Sequence, residues 1–162
     1  MLYLLVKYVH VVGAAVLLGT GAGIAFFMLV AHLRKDAAVI AGVAGIVVLA
    51  DFVFTATAVV LQPITGIWLA WQANYSLSEG WLLLSILLYI VTGAFWLPVI
   101  WMQMRMRDLA RSALKTGTPL PARYHRLFWL WFAFGFPAFA AVMAIFWLMI
   151  VRPTISLPWS PA

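Results

Sequence analysis

The sequence predicts an all-α membrane protein: a four-transmembrane-helix bundle with both termini on the periplasmic side. Composition is the first observation behind this. The 162 residues are 67% hydrophobic and 9% charged, with a mean hydropathy of +1.09, whereas soluble domains carry about 25% charged residues. A soluble fold of this size has too little interior to hide so much apolar surface, and a disordered chain is poor in apolar residues. The second observation is four apolar runs, each with the roughly 20 residues that a helix needs to cross the hydrocarbon core. The third is a charge asymmetry, since two of the three loops hold most of the Lys and Arg.

The runs cover about residues 2–31, 37–71, 81–104 and 127–151. None alternates polar and apolar residues, as a spanning strand of about 10 residues does. The first run is too long for the h-region of a signal peptide, about 7–15 residues, and is expected to stay in the mature chain. Pro63 interrupts the second run. It either bends that helix or ends it, freeing a carbonyl near residue 59, and the length already spanned before it favours an end. Pro98 and Pro137 sit inside the third and fourth runs in the same way. The third helix is expected to continue through Arg105–Lys115 until Gly117 and Pro119 stop it. Residues 1–152 then form one transmembrane domain. Residues 153–162 form an extended tail with Pro153, Pro158 and Pro161.

Loop one carries Arg34 and Lys35. Loop three carries Arg105, Arg107, Arg111, Lys115, Arg123 and Arg126. Loop two, about residues 72–80, has no basic residue and contains Glu79. Basic loops stay in the cytoplasm, so loop two and the termini belong on the other side of a bacterial inner membrane. The net charge of +6 follows from this bias and from the anionic cytoplasmic leaflet. No basic stripe with interleaved aromatics lies on a soluble element, so no nucleic-acid partner is expected. Trp68, Trp71 and Trp81 flank loop two, and Trp101, Trp129 and Trp131 lie towards loop three, where indole rings favour the headgroup boundary. The chain has no cysteine, which excludes disulfides, thiolate metal sites and iron–sulfur clusters. No phosphate loop, nucleophile elbow or zinc-protease motif occurs.

The few polar residues inside the spans are costly there and carry the chemistry. His10 lies about two turns into the first span, with Lys7 on its face. Gly13 or Ala14, Leu17 and Gly21 follow, a groove with few bulky side chains. A flat cofactor such as haem needs both an imidazole and a groove. The competing reading is structural: Gly19 and Gly23 form a GxxxG pair for close helix packing, and the imidazole hydrogen-bonds between helices. Asp51 falls near the middle of the second span. Asp51, Thr55, Ala58, Gln62 and Thr65 share one helical face. They read as a proton relay, as a polar wall of a cofactor site or as interhelical hydrogen bonds. His32 and His125 sit at the cytoplasmic boundary, as interfacial histidines or as a quinone-headgroup site. Met143 and Met149 lie near the depth of His10, and histidine–methionine ligation of haem is established chemistry.

Lys7-Tyr8-Val9-His10, Leu18-Gly19-Thr20-Gly21-Ala22-Gly23, Leu49-Ala50-Asp51-Phe52, Gln62-Pro63-Ile64-Thr65-Gly66 and Phe95-Trp96-Leu97-Pro98 together resemble an uncharacterised bacterial family. Its members are predicted four-helix integral membrane proteins, filed as a domain of unknown function. The resemblance covers nearly the whole chain and implies an inner-membrane location. A more distant likeness is confined to the first span. Lys7 and His10, a Gly-containing stretch and His32 look like the start of HemJ-type protoporphyrinogen oxidases, and copper-resistance membrane proteins open similarly. That likeness implies a haem-binding role for His10 alone. The Trp and Arg typical of that family's first span are missing here, as is a lysine in the third.

The expected function is that of an integral membrane protein holding b-type haem, active in electron transfer or as a membrane oxidoreductase. His10 is the expected axial ligand to the haem iron, Lys7 a partner for a propionate, and Gly13 and Gly21 the groove. Asp51, Thr55 and Gln62 orient the site or handle protons, and Met143 is the candidate second ligand. The alternatives are a non-catalytic membrane subunit or assembly factor, and a small transporter. Besides the lipid bilayer, the expected partners are a second copy of the chain, a membrane complex or a quinone.

Overall fold

The computed structural model of the chain describes residues 1–156. These form α1 (Leu2–Arg34), α2 (Ala37–Ala50), a π-helical turn (Asp51–Thr55), α3 (Ala56–Gln72), α4 (Gly80–Thr116) and α5 (Ala122–Val151). The chain runs from α2 through the π-turn into α3 without a break. The described residues therefore hold four helices long and apolar enough to cross a membrane: Leu2–Arg34, Ala37–Gln72, Gly80–Thr116 and Ala122–Val151. Pro158 and Pro161 of the expected tail lie outside the described residues. Pro153 lies beyond α5, in a stretch without regular structure.

The helix ends follow from local chemistry. Lys35 closes α1 in the left-handed region (φ 56°), its N–H bonded to the His32 carbonyl. Asp36 starts α2 by accepting from Ala38 N at 2.7 Å, which satisfies a first-turn donor. Gly117 ends α4 at φ 63°, a conformation open to glycine at little cost. The extension of α4 past residue 104 agrees with the sequence reading. At 1.5 Å per residue its 37 residues are about 55 Å long, well beyond a hydrocarbon core of about 30 Å.

Pro63 does not end the second span, contrary to the sequence expectation. It sits inside α3, which continues to Gln72. Proline lacks the N–H that would reach the carbonyl four residues back, and that carbonyl belongs to Val59. The Tyr89 hydroxyl of α4 donates to it instead. The freed acceptor is thus answered from a neighbouring helix, which lets a broken ladder persist away from water.

Packing changes partner along the second span. α2 lies against α4 and α1, whereas α3 lies against α1, and α4 pairs antiparallel with α5. The switch falls at the π-turn. The larger core fills the half of the bundle near loops one and three, with Met28, Ile40, Met106, Tyr124 and Phe128 all fully buried. A smaller core near loop two gathers Ala70, Trp81, Leu82 and Leu148. There Arg152 donates to the Tyr75 hydroxyl at 2.9 Å and lies 5.7 Å from the Trp81 ring centroid. The end of α5 and loop two are therefore at one end of the bundle. The contact of His10 with Thr65 brings the start of α1 to the same end. Phe26, Leu97, Phe136, Trp147 and Ile150 point outward and are more than half exposed, as a lipid-facing surface requires.

Candidate functional site

A cavity of about 470 Å³ lies inside the bundle, with walls from all four spans. That volume is within the usual range of small-molecule sites, about 300–1,000 Å³. Its origin is the change of partner at the π-turn. Once α3 has left α4 for α1, the space that α2 fills lower down stays open. The π-turn itself is a widened helical turn in which the Ala56 N–H bonds to the Asp51 carbonyl, five residues back. Such turns often accompany functional sites in α-helices. α1 and α5 touch only sparsely. Gly21 on α1 and Phe136 and Phe139 on α5 line the cavity, and all three are exposed on the bundle surface. The cavity therefore opens sideways, towards lipid.

Most of the wall is aliphatic or aromatic, and its polar groups fall into two sets. In the first, each group is already engaged. Gln62 Nε2 donates to the His10 carbonyl at 2.9 Å, Thr92 Oγ1 donates to the Leu88 carbonyl at 2.8 Å, and Tyr89 serves Val59. In the second, Thr55, Gln103 and Trp96 stand around the Asp51 carboxyl, but no pair closes to hydrogen-bonding geometry. Asp51 Oδ2, Thr55 Oγ1, Trp96 Nε1, Gln103 Oε1 and Trp131 Nε1 are buried with no hydrogen-bond partner. Asp51 is 3% exposed, Thr55 6%, Gln103 1% and Trp131 4%. A buried polar group left unpaired costs about 1–3 kcal/mol, and native proteins keep few of them. Five around one cavity is a concentration that packing alone does not reward.

Of the residues singled out from sequence, Gly21, Asp51, Thr55 and Gln62 line the cavity. Of the predicted polar face, Asp51, Thr55 and Gln62 thus share the cavity, while Ala58 turns away and Val59 lines the wall in its place. Thr65 departs from it and bonds His10, Oγ1 to Nδ1, at 2.8 Å. Its hydroxyl hydrogen is directed at the Leu61 carbonyl, 2.7 Å away, so the imidazole Nδ1–H donates to Thr65 Oγ1. In the neutral ring this leaves the lone pair on Nε2. The ring packs onto Gly66, where a Cβ would lie 3.1 Å from His10 Cε1. Gly13 lies outside the large cavity. Its missing side chain admits the Gln62 amide, which a Cβ there would meet at 2.5 Å. His10, Gly13, Gln62, Thr65 and Gly66 thus bind α1 to α3.

Met143 is 46% exposed on α5 and does not line the cavity. Lys7 is exposed. Among the described residues the Gly19–Gly23 pair packs against no other helix, since nothing lies within 4 Å of a Cβ at Gly19 and only Phe27 does at Gly23. Trp131 is not a headgroup marker but a buried wall of the cavity. His32 and His125 stand away from the cavity. The His32 ring stacks on Phe128, centroids 3.6 Å apart, with its Nδ1 3.3 Å from the Tyr124 hydroxyl. The cavity wall contains no His, Met or Cys, so a haem inside it finds neither imidazole nor thioether, and its residues do not fit that group. Among the described residues no three His, Cys, Asp or Glu gather as a metal site.

Trp96, Gln103 and Trp131 line the cavity with unpartnered polar atoms, and the sequence did not place them at a site. Gln103 carried a usable signal, because an amide inside an apolar span is as informative as the carboxyl of Asp51. The two tryptophans carried none, since an indole inside a span and one at its rim read alike in sequence.

Four membrane-length helices enclosing a laterally open, polar-tipped cavity define a polytopic integral membrane protein. The chain belongs to the family described as "Predicted integral membrane protein (DUF2269)", whose profile matches residues 4–153. Neither curated proteins nor solved structures yield a match.

Proposed function

We propose that this chain binds a lipid-soluble small molecule, which enters from the bilayer between α1 and α5 and places its polar end at the π-turn. The observation that carries this reading is the convergence of five unpartnered buried polar atoms on one apolar cavity. A ligand that pairs with them recovers their desolvation cost as affinity. Gly93 lines the cavity and has nothing within 4 Å of a Cβ, so Gly93→Leu fills the space without cutting a contact. In protein purified in mild detergent, mass spectrometry of the solvent extract is expected to show one species enriched over bulk membrane lipid. The Gly93→Leu protein is expected to lose that enrichment. Equal extracts from both proteins overturn the reading.

The positive-inside rule supports a bacterial inner membrane with loops one and three in the cytoplasm. Alkaline phosphatase fused after Arg152 is then active, and an inactive fusion reverses the topology. Haem b beside His10 is a separate reading, with electron transfer as its function. Its support is the hydrogen bond to Thr65, which orients the ring and leaves Nε2 as the basic nitrogen, the arrangement common in histidine ligands. A Soret band that disappears in His10→Ala supports this; a haem-replete preparation without the band removes it.

A further inference from the structure

The chain has four acidic residues, and three of them have partners. Asp36 caps α2, Glu79 accepts the Trp81 indole N–H at 2.9 Å, and Asp108 pairs with Arg107 at 2.9 Å. Asp51 is the exception: Thr55, Gln103 and Trp96 stand beside its carboxyl, but Oδ2 closes no hydrogen bond and meets no cation. It is the most costly of the four to desolvate, being in mid-span, and neither Lys nor Arg lines its cavity. Gln103 Oε1 is a second acceptor without a donor, and Trp96, Trp131 and Phe132 supply aromatic faces in the same wall. One carboxyl, one amide oxygen and three aromatic rings inside an apolar chamber match one kind of guest. They match an apolar body bearing a single positive charge and N–H donors, since aromatic faces attract cations and a carboxylate answers charge-assisted donors. A quinone could accept from the Trp96 and Trp131 indole N–H groups, which an amine leaves as they are, but it leaves both protein acceptors unanswered. The carboxyl is the costliest of these groups to leave unpaired, and it decides for the amine.

We infer that the cavity ligand is a lipophilic amine, bound in its protonated form with its nitrogen between Asp51 and Gln103. This rests on the ligand-binding reading above and narrows it to one chemical class. The charge of the guest supplies the counter-ion that the protein lacks at this depth. The apolar walls select for its hydrophobic body, and the lateral opening admits it from the bilayer.

The test uses the full chain in nanodiscs of zwitterionic lipid, with empty discs as the blank. The probes are dibenzylamine, its neutral isostere dibenzyl ether, and menadione as the quinone. Dibenzylamine is expected to bind at least about tenfold more tightly than the ether, a factor in the range of a desolvated cation–π and ion-pair contact. Asp51→Asn is expected to abolish that preference and Asp51→Glu to keep it, with thermal melting confirming that each variant is folded. If the ether or menadione binds as well as the amine, or if the amine keeps its advantage in Asp51→Asn, the amine assignment is wrong while the cavity reading stands. If none of the three binds and the extract of Gly93→Leu also matches the wild type, the cavity reading fails with it.

Discussion

Asp51→Leu is expected to make the protein harder to unfold. On membrane-insertion scales a mid-span Asp costs about 2.5–3.5 kcal/mol, and Leu is slightly favourable. The native structure returns only part of that cost, because Asp51 Oδ2 closes no hydrogen bond and no cation lines its cavity, although Thr55, Gln103 and Trp96 stand beside the carboxyl. The cavity beside it has room for the extra carbons of leucine. We expect a gain of about 2–3 kcal/mol in resistance to unfolding by sodium dodecyl sulfate, together with loss of ligand. This is the trade often met where a site is held in an unfavourable state for function. A loss of stability of similar size would show instead that Asp51 is a structural cross-link, and the cavity would then be a packing defect.

Phe128→Ala has the largest expected effect of opposite sign. Phe128 is fully buried and stacks on His32 with ring centroids 3.6 Å apart and planes at 3°. Trp131 lies 5.8 Å and Phe132 6.1 Å away, centroid to centroid. Truncating a buried aromatic leaves a void that the surroundings close only in part, which costs about 3–5 kcal/mol. Aromatic pairs add about 0.5–1.5 kcal/mol each beyond area. The variant should melt well below the wild type in the same detergent. Trp147→Ala, on the same helix but 64% exposed, should shift stability by no more than about 0.5 kcal/mol. Comparable losses in the two variants would mean that the core beneath loops one and three does not govern stability.

These expectations differ in how far sequence alone leads to them. Asp51, Thr55 and Gln62 are visible in the sequence because polar residues in a span are rare and fall at helical spacing. Their common cavity is not visible, since a helical wheel assumes one unbroken α-helix and says nothing of a π-turn between residues 51 and 55. Pro63 shows that a carbonyl is released near Val59, but only the structure shows Tyr89 taking it. His10 is the reverse case. Its isolation in an apolar span suggests a ligand, and the structure brings it onto Thr65 and Gly66 of α3, across 55 residues of chain.

The four spans and most of their ends were already fixed by the order of residues, because hydropathy and helix caps act over a turn or two of local chain. The pairing of α1 with α3, the gap left when the second span leaves α4, and the gathering of Asp51, Trp96, Gln103 and Trp131 around it were decided only by tertiary structure. The reason is physical. Inside lipid every helix face is apolar, so hydrophobicity does not select which faces meet. That choice is made by side-chain shape and by a few hydrogen bonds between residues distant in the chain.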